Sequence, residues 1–185
     1  MPLLMLKDLP RYECLLEAAK QFPDLDPSAS EAYLHLLRTS DEAFNVLTTH
    51  LHQAGLSQGR FTVLMLLIDK GTGTPCASTP AELADKAGVT RATMTGLIDT
   101  LERDGMVSRD SDRDDRRMLS VKLTPKGEAL IHGYLPGHFK LTASLVQPLT
   151  ENERKTLVRL LGKIMQQAAI MADTNPIAPA VLSES

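Results

Sequence analysis

Apolar residues recur along this chain with two different periods, and the switches between them mark its elements. From Ser28 to about Gln53, Tyr33, Leu36, Leu37, Phe44, Leu47 and Leu51 fall three, four or seven apart, the stripe of one long helix. Ser28 with Glu31 reads as its capping box, and Gly55 ends it. A second helix is expected from Ser57 to about Asp69, with Phe61, Leu64, Met65 and Ile68 facing inward, followed by a loop from Lys70 to Pro75. Thr79-Pro80-Ala81-Glu82 is a strong start signal: a Thr cap, Pro in the first helical position and Glu three residues beyond the cap. That third helix ends at Gly88. The fourth starts at Thr90, carries Met94, Leu97, Ile98 and Leu101 as its core stripe, and ends at Gly105. The period then drops to two in Met106–Arg109 and Leu119–Leu123, which read as short strands around a polar loop from Asp110 to Arg117. Thr124-Pro125 restarts a helix to roughly Tyr134, the segment Pro136 to Pro148 is expected to be helical again, and Thr150 with Glu153 caps a last long helix through about Met171. In that last helix Leu157, Leu160, Leu161, Ile164 and Ala168 align. Ahead of all this, Leu9 to Phe22 has room for one short helix before Pro23 and Pro27 break the pattern.

The order predicts a mainly α (α+β) fold. Its 185 residues suit one domain or slightly more. Aromatics make up only 4% and Trp is absent, so the core must be built of Leu, Met, Ala, Val and Ile. No run of roughly 20 apolar residues predicts a membrane span. The start of the chain lacks a basic leader and a cleavage site, so a secretory signal is not expected. Cys14 and Cys76 form neither a disulfide framework nor a metal-ligand spacing, which favours the cytoplasm. The net charge of −3 speaks mildly against nucleic acid, but a local field matters more than the total. From Gly88 to Lys126 there are eight Lys/Arg against seven Asp/Glu, less acidic than the chain as a whole. Clear salt dependence and modest non-specific affinity are expected.

The third and fourth helices have the arrangement of a helix–turn–helix. Ala84 and Gly88 supply small residues at the crossing, which is expected to allow close packing. The side of the fourth helix away from its core stripe carries Ala92, Thr93, Thr95, Gly96 and Arg103, with Arg91 at the N-terminal edge. Small and hydroxyl-bearing residues permit approach to a groove floor, and threonine offers a hydroxyl to a base or phosphate and a methyl to thymine. Glycine inside a helix costs about 1 kcal/mol against alanine, so Gly96 points either to close backbone approach or to mere tolerance. In the loop between the strands, Arg113, Arg116 and Arg117 sit among Asp110, Asp112, Asp114 and Asp115. An arginine at a hairpin tip can enter a narrow minor groove, and Asp115, two residues before Arg117, can hold its guanidinium in place.

Ala81-Glu82-Leu83-Ala84, Gly88-Val89-Thr90, Leu97 through Gly105, Asp112 through Arg117 and Val121 through Gly127 together resemble the winged-helix region of the MarR (multiple-antibiotic-resistance regulator) family. The resemblance implies a cytoplasmic homodimer that binds double-stranded DNA at a pseudo-palindrome and regulates transcription, most often as a ligand-responsive repressor. It implies a winged helix–turn–helix lobe at 56–124, dimerisation helices at 28–55 and 125–173, an extension at 1–27 and a flexible tail at 174–185. Thr90, Arg91, Thr93 and Thr95 become the recognition-helix contacts, with Arg109, Arg113, Asp115, Arg116 and Arg117 in the wing. A small aromatic or phenolic effector is expected between lobe and dimerisation helices, with Tyr33, His35, Phe44, His50, Arg60 and Phe61 as candidate contacts. Many members carry a larger or basic residue where Gly96 stands, so base preference does not carry over there. A physical argument for the dimer stands beside this: the first and last long helices carry apolar stripes that a small lobe cannot bury alone.

Other chemistry finds little support. His35, His50, His52, His132 and His138 have no metal-ligand spacing, and no phosphate loop, nucleophile elbow or carboxylate pair occurs, so neither cofactor nor enzyme activity is expected. Two alternatives to a ligand-responsive regulator remain open. One is a redox-responsive regulator acting through Cys14, with Arg11 and Lys20 near it in sequence. The other is a winged helix used as a protein-interaction module, which the near-neutral wing permits.

Overall fold

The structure is a computed structural model that describes residue 4 and residues 8–69, 71–111 and 119–174. They belong to two compact units, one reaching Leu141 and the other starting at Thr142. In chain order the elements are α1 (Tyr12–Gln21), α2 (Pro27–Gln53), α3 (Gln58–Leu66), α4 (Pro80–Ala87), α5 (Arg91–Arg103), β1 (Val107–Ser111), β2 (Leu119–Leu123), α6 (Pro125–Leu145) and α7 (Glu151–Thr174). Among the described residues, no helix is long and apolar enough to cross a membrane.

Local chemistry sets most helix ends. α2 starts one residue earlier than expected, because Asp26 rather than Ser28 is its cap. The Asp26 carboxylate accepts the backbone N–H groups of Ser28 (2.9 Å) and Ala29 (3.0 Å), and Pro27 takes the first helical position. At α4 the capping box forms as read: Glu82 N–H donates to Thr79 Oγ1 (3.2 Å) and Thr79 N–H donates to Glu82 Oε2 (2.8 Å). These bonds hold the Glu82 carboxyl below its usual pKa range. Gly88 closes α4 at φ +65°, and a Cβ there would meet nothing within 4 Å. Its role is therefore the left-handed cap and not the close packing expected of it. Thr90 caps α5 by accepting from Thr93 N–H at 3.1 Å.

The core of the first unit gathers Leu51 and Leu56, Val63, Leu64 and Leu67 after them, Leu83 and Ala84 from α4, and Met94, Ile98 and Leu101 from α5. Val107, Val121 and Leu123 add the sheet, and Ile131 and Tyr134 add α6. The inner face of α3 is thus rotated from the one expected: Val63, Leu64 and Leu67 are fully buried, while Phe61, Met65 and Ile68 are half-buried. β1 and β2 pair antiparallel from Val107↔Leu123 to Ser111↔Leu119, and Ser78 bridges to Val121 on the other edge of β2. Two glycines permit this packing. A Cβ at Gly59 would lie 2.9 Å from Leu97 Cδ2, and one at Gly127 would lie 2.0 Å from the Met106 carbonyl oxygen.

The two helical segments expected around Pro136 are one helix, α6, which continues through the proline. The proline removes the N–H that would reach the His132 carbonyl, and the helix continues beyond it. In the second unit, Thr150 and Glu153 cap α7 reciprocally, with Thr150 N–H donating at 2.7 Å and Glu153 N–H at 3.3 Å. No residue of α7 is buried. Before α2, α1 buries Leu15 and packs on α2, and the Leu4 N–H donates to the buried Asp41 at 2.9 Å.

Candidate nucleic-acid interface

α4 and α5 meet at the Gly88 turn with the apolar stripe of α5 turned into the core, which leaves its opposite side open. Arg91, Ala92, Thr93, Thr95 and Gly96 are exposed there, on the first turn and a half of the helix. A Cβ at Gly96 would meet no atom within 4 Å, so no packing inside this chain requires the glycine.

The hydroxyls on this face are held locally. Thr95 Oγ1 donates to the Arg91 carbonyl at 2.9 Å, and the Thr90 and Thr93 hydroxyls share a hydrogen bond of 2.9 Å. A hydroxyl donates once and accepts twice, so Thr95 keeps acceptor capacity for a base amino group while its rotamer is fixed. Arg91 places a cation at the positive end of the helix dipole. That is unfavourable for the helix alone and favourable when an anion such as a phosphate arrives.

Thr90, Arg91, Thr93 and Thr95 therefore come together as one surface. Arg113, Asp115, Arg116 and Arg117, the candidates at the wing tip, lie outside the described residues. Arg109 is described, and its guanidinium is turned back onto α5. Nη1 donates to Glu102, Nη2 to Asp99, and the Arg109 backbone N–H donates to Glu102 Oε1 at 3.3 Å. The hydrogen bond that Arg109 donates to Asp99 outweighs the effect of burial and raises the guanidinium pKa above its usual value. Nearer the hairpin tip, Lys122 pairs with Asp110 across the two strands.

The candidate effector residues scatter. Tyr33, His35 and Phe44 are exposed along α2. Arg60 is committed to the lobe itself, donating to Asp104 Oδ2 at 2.5 Å and to the Gly55 carbonyl at 3.3 Å. Lys126 Nζ reaches the Asp104 carbonyl at 2.8 Å, so the end of α5 is tied to the starts of both α3 and α6. Phe61 does line a cleft of about 520 Å³, together with Gln58, Thr62, Leu135, His132 and Phe139 among others. Beside that cleft a ring cluster joins two of the candidates, His50 and Phe61, to Tyr134 and His138, which were not among them. His50 stacks on Tyr134 with centroids 4.8 Å apart, and Phe61 and His138 meet Tyr134 at 5.4 and 5.6 Å. Its histidines were visible in the sequence, but without the α2–α6 contact nothing linked them. Burial, and then the neighbouring His50, hold the His138 pKa below its ordinary value. Cys14 is exposed on α1, and Lys20, near it in sequence, pairs with Glu17 at 2.7 Å. Among the described residues, no cluster of three or more His, Cys, Asp or Glu could hold a metal ion.

Comparison with known proteins agrees with this geometry. A family model described as the MarR family matches residues 56–119. The chain is 35% identical to the HTH-type transcriptional repressor YetL of Bacillus subtilis over 168 residues, covering 91% of this chain and 99% of that protein. Among solved structures it resembles Bordetella bronchiseptica BpsR, from a study of regulation of DNA binding by 6-hydroxynicotinic acid. The TM-score is 0.59 at 29% identity, covering 71% of this chain and 91% of the other. A mutant of MarR from E. coli, solved with operator DNA, matches with a TM-score of 0.60 at 26% identity over 72% of this chain and 91% of the other. With an open recognition helix, a two-stranded wing and a near full-length relationship to a named repressor, the chain belongs to the MarR family of winged helix–turn–helix transcriptional regulators, proteins that are not enzymes.

Proposed function

We propose that this chain is a cytoplasmic homodimeric repressor that occludes a promoter by binding a pseudo-palindromic operator through two winged lobes. The observation that carries the reading is the exposed first part of α5, where Arg91, Thr93 and Thr95 face away from the core. In each lobe, residues 56–124, these side chains enter the major groove. Arg113, Arg116 and Arg117, with Asp115 orienting Arg117, address the flanking minor groove. Residues 28–55 and 125–173 supply the dimer contacts, with 1–27 as an N-terminal extension; the tail expected at 174–185 lies, past Thr174, outside the described residues.

The regulatory half of the reading rests on the cleft beside Phe61. Its walls are mostly apolar, with Gln58, Thr62, His132 and the carboxylate of Asp69 as polar points, which suits a small flat aromatic or phenolic molecule. The likeness to BpsR, studied for regulation by 6-hydroxynicotinic acid, supports an effector of this size. Because both recognition helices must fit one duplex at once, a small shift in lobe spacing is enough to release it.

The test is binding of the purified protein to the DNA upstream of its own gene, and to a randomised duplex library, across a salt series. Selective binding is expected. Arg91→Gln should weaken it about tenfold and lower the salt slope by about one ion. No selection over random DNA from either source would overturn the reading in favour of a protein-interaction module.

A further inference from the structure

Asp99 and Glu102 are an awkward pair of residues for a helix that must approach phosphates. They lie three apart on α5, past the reading surface, and both are open to solvent in part. Each would repel a DNA backbone. Arg109, one strand away, spans both: one guanidinium nitrogen goes to each carboxylate and its own backbone N–H adds a third bond to Glu102. Its side chain is only 21% exposed, against 57% for Asp99. A guanidinium can serve two carboxylates at once because its donors are fixed in a planar fork, whereas an ammonium is a point charge that favours one.

The strand it sits on needs such a tether. A two-stranded hairpin is marginal by itself. Val107 and Val121 anchor its inner face in the core, and Arg109, opposite Val121 on that same face and nearer the tip, joins it to the recognition helix.

We propose that Arg109 is a positioning residue and not a DNA contact: it straps β1 to α5, sets the angle of the wing to the recognition helix, and screens Asp99 and Glu102 from the duplex. The proposal rests on the DNA-binding reading above and adds to it a division of labour among the wing arginines. Arg109 aligns the hairpin, leaving phosphate and groove contacts to the others.

The sign of one effect separates this from a direct contact. Glu102→Gln removes a negative charge close to the duplex. If Arg109 touched phosphate, losing Glu102 would free it and tighten binding. If Arg109 is a strap, losing Glu102 loosens the wing and weakens binding. The experiment compares the wild-type chain, Arg109→Gln, Arg109→Lys, Glu102→Gln and the Arg109→Gln/Glu102→Gln double variant. The probe is the highest-affinity duplex that the wild type recovers from a randomised library, titrated by fluorescence anisotropy over a salt series. Thermal melting checks that each variant is folded. Expected are a loss of about tenfold for Arg109→Gln with an unchanged salt slope, a smaller loss for Glu102→Gln, incomplete rescue by Arg109→Lys, and a double variant no weaker than Arg109→Gln. Tighter binding by Glu102→Gln, or a salt slope lowered by about one ion in Arg109→Gln, would overturn the strap while leaving the DNA-binding reading intact. A wild type that recovers no duplex would overturn both. Should Arg109→Gln fail to fold, the sign of the Glu102→Gln effect still decides.

Discussion

A methyl group added at Gly96 would enter open space, on the exposed side of a helix whose other side is fully packed. Helix propensity alone then favours alanine by about 1 kcal/mol. Gly96→Ala is therefore expected to raise the melting temperature, and to weaken DNA binding because the added methyl occupies space the groove floor needs. Equal affinity in the stabilised variant would mean that the glycine is tolerated and not used. This position was legible as an oddity from sequence alone, because its cost is local. Arg109 and Arg60 were not legible in the same way. Their residue type suited a phosphate or an effector, but their partners are decided by tertiary approach. Arg109 reaches Asp99 ten positions back, and Arg60 reaches Asp104 forty-four positions on. A sequence marks a guanidinium as available; only the fold says what has already claimed it.

At the scale of elements, what is encoded within a few residues was readable and what depends on packing was not. The Thr79–Glu82 box, the Thr90 cap and the Thr150–Glu153 cap are each written within four positions, and each forms. Pro136 was read as a boundary because proline interrupts one hydrogen bond, yet α6 runs on through it, with Ile131 and Tyr134 buried ahead of the proline. That buried segment also brings Tyr134 and His138 against His50 of α2 and Phe61 of α3. Here the joint between three helices carries a titratable group. The fold favours neutral His138, since burial and then His50 oppose its charge, whereas the unfolded chain takes a proton with the ordinary value near 6.5. The unfolded state thus binds more protons in the window below that value. Stability is complete above it and declines as pH falls toward the lowered folded pKa. Wild-type melting temperature should accordingly drop on going from about pH 7 to about pH 5, and His138→Phe, which keeps a ring against Phe61 and Tyr134, should flatten that decline. An unchanged slope in the variant would assign the acid sensitivity elsewhere.

The molecule as a whole leaves long apolar faces exposed on single helices. α7 carries Leu157, Leu160, Leu161 and Ile164 in one stripe, all exposed, with Val158 and Met165 more than two-thirds exposed. On α2, Tyr33 and Phe44 are likewise uncovered. Contiguous apolar surface of this kind is rare on a monomer and marks an association site. In the dimer proposed above, a two-fold partner would bury such a face, and two α5 helices reading one operator would lie about one duplex turn, 34–36 Å, apart. Operator affinity then depends on the dimer, because the second lobe binds from a high effective concentration once the first is seated. Ile164→Glu places a charge in the α7 stripe, where it is harmless in a monomer and costly at a dry interface. Light scattering should give a mass of two chains for the wild type and one for the variant, and the wild-type melting temperature alone should rise with protein concentration. Binding to the full operator should fall by roughly 100-fold in the variant, while the recognition surface on α5 stays unaltered. A variant that remains dimeric and binds as tightly as the wild type would show that the α7 stripe faces something other than a second copy. The spacing of the two lobes would then have to be set by another surface.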